Sequence, residues 1–188
     1  MARAPLRFGK GSWVSDHALG LCLINHKRKL YYIHTPKCAS MWTRNYLSLL
    51  GHNDTADIWE PGNFTVDDTD SYRPFVILRD PYERFLSACP MSDSIESQIN
   101  NNESDAIFDN FANIIRDEHT APQVDFLQGL NLNEIEYFYC DNTLSRRLKH
   151  FFDCLKFDPA IQAPAKINEH SSSPDYLKAI NSWKYLLS

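Results

Sequence analysis

The 188-residue chain has no stretch approaching the roughly 18 consecutive apolar residues of a membrane-spanning helix, and no signal-type apolar run follows Met1-Ala2-Arg3-Ala4-Pro5-Leu6-Arg7. A soluble, cytoplasmic chain without a membrane span is expected. It also lacks excess positive charge: a formal net charge of −5 argues against a general polyanion binder, because nucleic-acid affinity rests on basic surface that neutralises phosphates. Nucleic acid is therefore not an expected partner. The five cysteines, Cys22, Cys38, Cys89, Cys140 and Cys154, are odd in number and form no C-x-x-C pair, so neither a zinc site nor a disulfide framework is indicated and free thiols are expected. No metal is called for. The phosphate-binding pattern G-x-x-x-x-G-K-[ST] is absent, which disfavours a P-loop kinase, and no internal repeat is visible. The N-x-[ST] triplets at Asn53, Asn63 and Asn102 carry little weight in a chain without a secretion signal.

The sequence does hold 43% apolar residues, enough at this length for one well-buried core and too few for two, so residues 1–188 read as a single domain. Residues 20–25 and 30–35 read as a hairpin across His26-Lys27-Arg28-Lys29. A helix follows from about Ser40 to Leu50, with Trp42, Tyr46, Leu47 and Leu50 near one face and Gly51 at its end. A short strand is expected around Asp57-Ile58-Trp59. Phe75 to Leu78 is a continuous apolar strand of the kind covered on both faces, and Asp80-Pro81 starts the next helix as N-cap and first position. Further on, the pattern predicts a polar loop over 92–104, an amphipathic helix over 105–118, a strand over 135–140, a helix over 143–155 and a last helix from about Pro174. Strands alternating with helices favour a three-layer α/β fold with a mainly parallel central sheet.

Two of these strand-to-helix junctions carry cationic and hydroxyl side chains: Tyr31-Tyr32-Ile33-His34-Thr35-Pro36-Lys37-Cys38-Ala39-Ser40-Met41-Trp42 and Phe75-Val76-Ile77-Leu78-Arg79-Asp80-Pro81-Tyr82-Glu83-Arg84-Phe85-Leu86-Ser87-Ala88. Helix N-terminal N–H groups and the helix dipole form an anion site there, and a lysine or arginine adds full charge. Two junctions in one sheet suggest a ligand with two separated anionic groups. The first segment resembles the 5′-phosphosulfate loop of sulfotransferases. The second resembles their 3′-phosphate site, in which an arginine and a serine eight residues later, here Arg79 and Ser87, hold the ribose phosphate. The stretch His119-Thr120-Ala121-Pro122-Gln123 is similar to the His-x-x-Pro-Gln stretch of the carbohydrate branch. Lys166-Ile167-Asn168-Glu169-His170-Ser171 is similar to the Asn-x-x-Ser loop that closes over the nucleotide.

The resemblance implies a P-loop-like sulfotransferase fold. It implies 3′-phosphoadenosine-5′-phosphosulfate (PAPS) as co-substrate, 3′-phosphoadenosine-5′-phosphate (PAP) as product, and a hydroxyl-bearing acceptor, expected to be a carbohydrate or a small glycosylated or lipid molecule. It further implies a cofactor site made of Pro36, Lys37, Cys38, Ala39, Ser40, Met41, Trp42, Arg79, Ser87, Asn168 and Ser171. Lys37 would stabilise charge on the leaving oxygen. The family loop commonly reads Pro-Lys-x-Gly-Gly/Ala-Ser/Thr-Ser/Thr, whereas Met41 and Trp42 follow Ser40 here, so one phosphate-binding hydroxyl is missing. A non-catalytic PAP-binding module of the same fold is the alternative function.

The acceptor hydroxyl needs a base. Glu60 stands 23 positions after Lys37, near the spacing of branches with a glutamate base, and is placed slightly ahead of His119. Each has a plain structural reading beside it: an exposed loop carboxylate before Pro61-Gly62, and a histidine capping a helix that ends at Glu118. His34 reads as structural. Arg79 could instead pair with Asp80 or Glu83, and Arg84 could assist the phosphate or only solvate a helix face.

Overall fold

The computed structural model describes residues 22–52, 57–62, 71–88, 119–127 and 130–165. Among these residues five strands form one sheet: β1 (Cys22–Asn25), β2 (Leu30–Ile33), β3 (Glu60–Gly62), β4 (Arg73–Leu78) and β5 (Glu136–Tyr139), in the spatial order β3-β1-β2-β4-β5. Among the described residues the helices are α1 (Ser40–His52), α2 (Pro81–Ala88) and α3 (Leu144–Cys154), with 3₁₀ turns at Gln123–Leu127 and Leu132–Glu134.

The expected hairpin is present, with Ile24 opposite Tyr31 and Asn25 opposite Leu30. Its four-residue turn closes through Lys29, whose φ of 55° reverses the chain. β4 runs parallel to β2, and β5 parallel to β4. The sheet as a whole is mixed rather than mainly parallel, because the tight hairpin forces β1 antiparallel to β2, and β3 then adds antiparallel to β1 at the edge. The parallel half, β2-β4-β5, carries both candidate phosphate junctions at its C-terminal ends, where open α/β sheets bind ligands.

Side-chain alternation divides the core between the two faces of the sheet. Leu30, Tyr32, Phe75, Ile77 and Phe138 meet Trp42, Tyr46, Leu47 and Leu50 of α1 and Leu144, Leu148, Phe151 and Phe152 of α3. Phe75 is fully buried at the centre of this face, with the rings of Phe151 and Phe152 at 5.6 and 5.8 Å. On the other face, Ile24, Tyr31, Ile33 and Val76 pack against Ala121, Phe126, Leu127 and Ile135. That second cluster seats the 121–127 segment beside the end of β4.

Two local expectations are corrected. Asp57-Ile58-Trp59 is not a strand, since β3 begins at Glu60. Asp57 is instead drawn inward by Arg28 Nη2 at 2.6 Å, while Asn25 Nδ2 donates to its carbonyl at 3.0 Å. The hydrogen bond from Arg28 is the chief cause holding its carboxyl below the ordinary range. Gly51 does not end α1, which runs on to His52. A Cβ there would lie 2.9 Å from the Asp57 carbonyl oxygen, so glycine is required by this close approach. Cys22, Cys38, Cys140 and Cys154 are free thiols, and Cys89 lies outside the described residues. The expected loop over 92–104, helix over 105–118 and helix from Pro174 also lie outside them.

Candidate active site

The loop after β2 is shaped by backbone conformation. Thr35 is buried and its hydroxyl donates to the Ile77 carbonyl at 2.6 Å, fastening the loop to β4. Cys38 N–H closes a turn onto the Thr35 carbonyl at 3.3 Å. Lys37 and Ala39 then adopt φ of 66° and 57°, the left-handed region, on either side of Cys38. Left-handed residues in such a turn swing successive N–H groups toward one point, which makes an anion-binding concavity. The first α-helical bond of α1 runs from Thr43 N–H to the Ala39 carbonyl at 2.9 Å. The N–H groups of Ser40, Met41 and Trp42 therefore precede the helical ladder and are the ones a helix offers to an anion.

Side chains in this loop diverge. Lys37, Ala39 and Ser40 are half-buried, Pro36 and Cys38 are buried, and Met41 is 69% exposed. Trp42 turns into the core, where its indole Nε1 donates to the Pro164 carbonyl at 2.9 Å. Its side chain is thus an anchor for α1, and only its backbone amide belongs to the cradle.

The second junction follows β4. Asp80 caps α2 as expected: its Oδ1 accepts from Glu83 N–H at 3.0 Å, and Pro81 takes the first helical position. Arg79 Nη1 reaches the Lys37 carbonyl at 3.4 Å, and its Nε lies 3.5 Å from the Glu83 carboxylate, a half-open pair of the weak i,i+4 kind. The two junctions are therefore in contact through Arg79. Ser87 is half-buried near the other end of α2.

Arg84 does not solvate a helix face. It is 3% exposed, its Nε donates to the Pro36 carbonyl at 2.9 Å, and its Nη1 donates to the Ala121 carbonyl. One buried guanidinium thus joins the first loop, α2 and the 119–123 stretch. Gln123 adds a second joint: its Oε1 accepts from Arg79 N–H at 2.9 Å and from the Cys38 thiol at 3.2 Å, and its Nε2 donates to the Arg79 carbonyl at 2.7 Å. Burial pushes the Cys38 thiol up to about 11, so it stays protonated and serves as the donor in that contact. Sequence reasoning quoted Gln123 without a role and missed Thr35. Their signals were a glutamine and a threonine beside prolines at strand and turn ends, too common to stand out.

The base candidates separate in space. His119 is half-buried in the turn that leads to Ala121 and Gln123. It lies near enough to His34 for its charge to act on that imidazole, whose pKa is lowered to about 4 by burial first, then by Arg44 and His119. His34 is neutral near pH 7. Glu60 is exposed on the edge strand β3, opposite Ile24 and hence on the sheet face away from α1, and two strands removed from β2. Asn168 and Ser171 lie outside the described residues.

No curated protein and no solved structure matches the chain. The profile of the sulfotransferase family matches residues 22–174, a span that contains the Lys37 loop, the Arg79 junction and the 119–123 stretch together. The chain belongs to the sulfotransferase family, whose members are PAPS-dependent transferases.

Proposed function

We propose that the chain moves a sulfuryl group from PAPS to a hydroxyl of a carbohydrate or a small glycosylated or lipid acceptor. The observation that carries this reading is the convergence of three segments, 35–42, 79–84 and 119–123, at the C-terminal ends of β2 and β4, joined by Thr35, Arg79, Arg84 and Gln123. In the transfer, the acceptor oxygen forms a bond to sulfur as the bond from sulfur to the bridging phosphate oxygen breaks. Lys37 stabilises charge on that oxygen, and the amides of residues 38–42 hold the phosphosulfate. Arg79 and Ser87 take the 3′-phosphate, with Asn168 and Ser171 closing over the nucleotide.

His119 receives the acceptor proton. Its turn is continuous with the segment bound to Arg79 and Arg84, and this supports it over Glu60 on the distant edge strand. Sulfate transfer from labelled PAPS to a panel of sugar and lipid hydroxyls tests the reaction. Calorimetry with PAP in EDTA tests the nucleotide site, where metal-free binding at micromolar or better affinity is expected. Binding that needs Mg²⁺ would overturn a site built on Lys37, Arg79 and backbone amides alone. The exposed Met41 at the helix start favours the second reading, a PAP-binding module without turnover, and PAP binding with no transfer across the panel would establish it.

A further inference from the structure

At the end of β4 the strand ladder runs out, and its last polar groups pass to other partners. The Ile77 carbonyl accepts from the Thr35 hydroxyl, and the Leu78 carbonyl accepts from Cys140 N–H at 2.7 Å. Arg79, one residue further, has no strand beside it among the described residues. Its N–H and its C=O are both taken by the carboxamide of Gln123, at 2.9 and 2.7 Å, in the manner of a neighbouring peptide group. The polarity is dictated by the backbone: an N–H requires the oxygen of the amide and a carbonyl requires its nitrogen. The same oxygen also accepts from Cys38 in the Lys37 loop. Gln123 itself is fixed because Ala121, Phe126 and Leu127, around it in sequence, are buried on the second face of the sheet.

We infer that Gln123 is a positioning residue for nucleotide recognition: it locks the Arg79 backbone against the Lys37 loop and so sets the separation of the 3′-phosphate and 5′-phosphosulfate sites. This rests on the reading of Arg79 as the 3′-phosphate residue. A backbone free to pivot at Arg79 would move the guanidinium while leaving the Lys37 cradle, which is shaped by its own φ angles, in place. The predicted loss is therefore selective for the 3′-phosphate. A carboxylate at this position keeps the acceptor for Arg79 N–H but faces the Arg79 carbonyl without a donor, so it breaks the clasp with almost no change of volume.

The test compares PAP with adenosine 5′-phosphate as probes on the full chain, so that the ratio of their affinities isolates the 3′-phosphate. Gln123→Met and Gln123→Glu are each expected to lower that ratio about 10-fold or more, with adenosine 5′-phosphate affinity within about threefold of wild type. In the Arg79→Ala background, Gln123→Met is expected to add almost nothing, since both changes remove one interaction. An unchanged ratio, equal losses for both probes, or additive losses in the double variant would overturn the inference. If Gln123→Met fails to fold, the nearly isosteric Gln123→Glu decides by the same ratio. A wild-type chain that binds PAP no better than adenosine 5′-phosphate would overturn the underlying reading of Arg79 instead.

Discussion

Lys37 and Ala39 hold backbone conformations that residues with a Cβ adopt at a cost of about 1–2 kcal/mol each. The strain persists at two positions on either side of Cys38. Ala39→Gly relieves the clash but frees the unfolded chain by about 0.4–1 kcal/mol, so a net stabilisation of up to about 1.6 kcal/mol is expected in urea denaturation, and a lowered midpoint would contradict the strain argument. The proposed assignment of the Lys37 charge to the transition state predicts that Lys37→Ala depresses turnover far more than PAP affinity. Arg79→Ala is expected to weaken PAP binding by about 2–4 kcal/mol, and equal effects of the two on affinity alone would dissolve this division of roles. His119→Ala is expected to cut turnover by roughly 10²-fold or more with PAP affinity retained, and Glu60→Gln to do much less, with the reverse ranking returning the proton to Glu60. At this scale the sequence was legible where a local rule fixes the partner, as for Asp80 at the N-cap of α2, and illegible for Arg84 and Gln123. Both act on backbone groups brought near only by the fold: Arg84 on the Pro36 carbonyl 48 positions away, Gln123 on Arg79 44 positions away.

Helix α1 joins the cradle to the rest of the molecule, because the residue that opens its third amide also plants its indole on the 161–165 segment. Trp42→Phe keeps most of the apolar volume and removes the bond to the Pro164 carbonyl. A stability loss of about 1 kcal/mol is expected with PAP affinity nearly unchanged, and a tenfold fall in affinity would instead place the indole in the nucleotide site. Elements fixed by local signals matched their sequence reading closely. α2 begins at the Asp80-Pro81 cap, α3 spans Leu144–Cys154 against an expected 143–155, and β4 contains the whole of Phe75–Leu78. β3 was misplaced because its three residues, Glu60–Gly62, have no apolar alternation and are strand only through pairing with β1. The antiparallel half of the sheet was underestimated for the same reason, since edge pairing is decided by tertiary placement rather than propensity.

Across the whole molecule, the Lys37 loop is supported by a sheet end that contains a titratable weak point. His34 links β2 to the loop, and its imidazole is kept neutral, with a pKa lowered to about 4, by burial and by the charges of Arg44 and His119. Among the described residues its Nδ1 has no hydrogen-bond partner that would favour the protonated form. In the unfolded chain a histidine binds its proton near pH 6.5, so between that value and about 4 the unfolded state holds more protons than the folded one, and stability falls as the pH is lowered through this window. The loss from this residue is about 2 kcal/mol between pH 7 and pH 5. Asp57 is also shifted down, but for an acid a lowered pKa favours the charged form, so its stability contribution persists through this window and is lost only under stronger acid, and the two contributions are separable. Urea titrations of wild type and His34→Gln at both pH values test this. The wild type is expected to lose about 2 kcal/mol more than the variant on acidification, because glutamine has no proton to take up. Equal losses would mean that His34 is solvated in the folded chain, and a larger loss in His34→Gln would require the imidazole to be charged and paired rather than buried neutral.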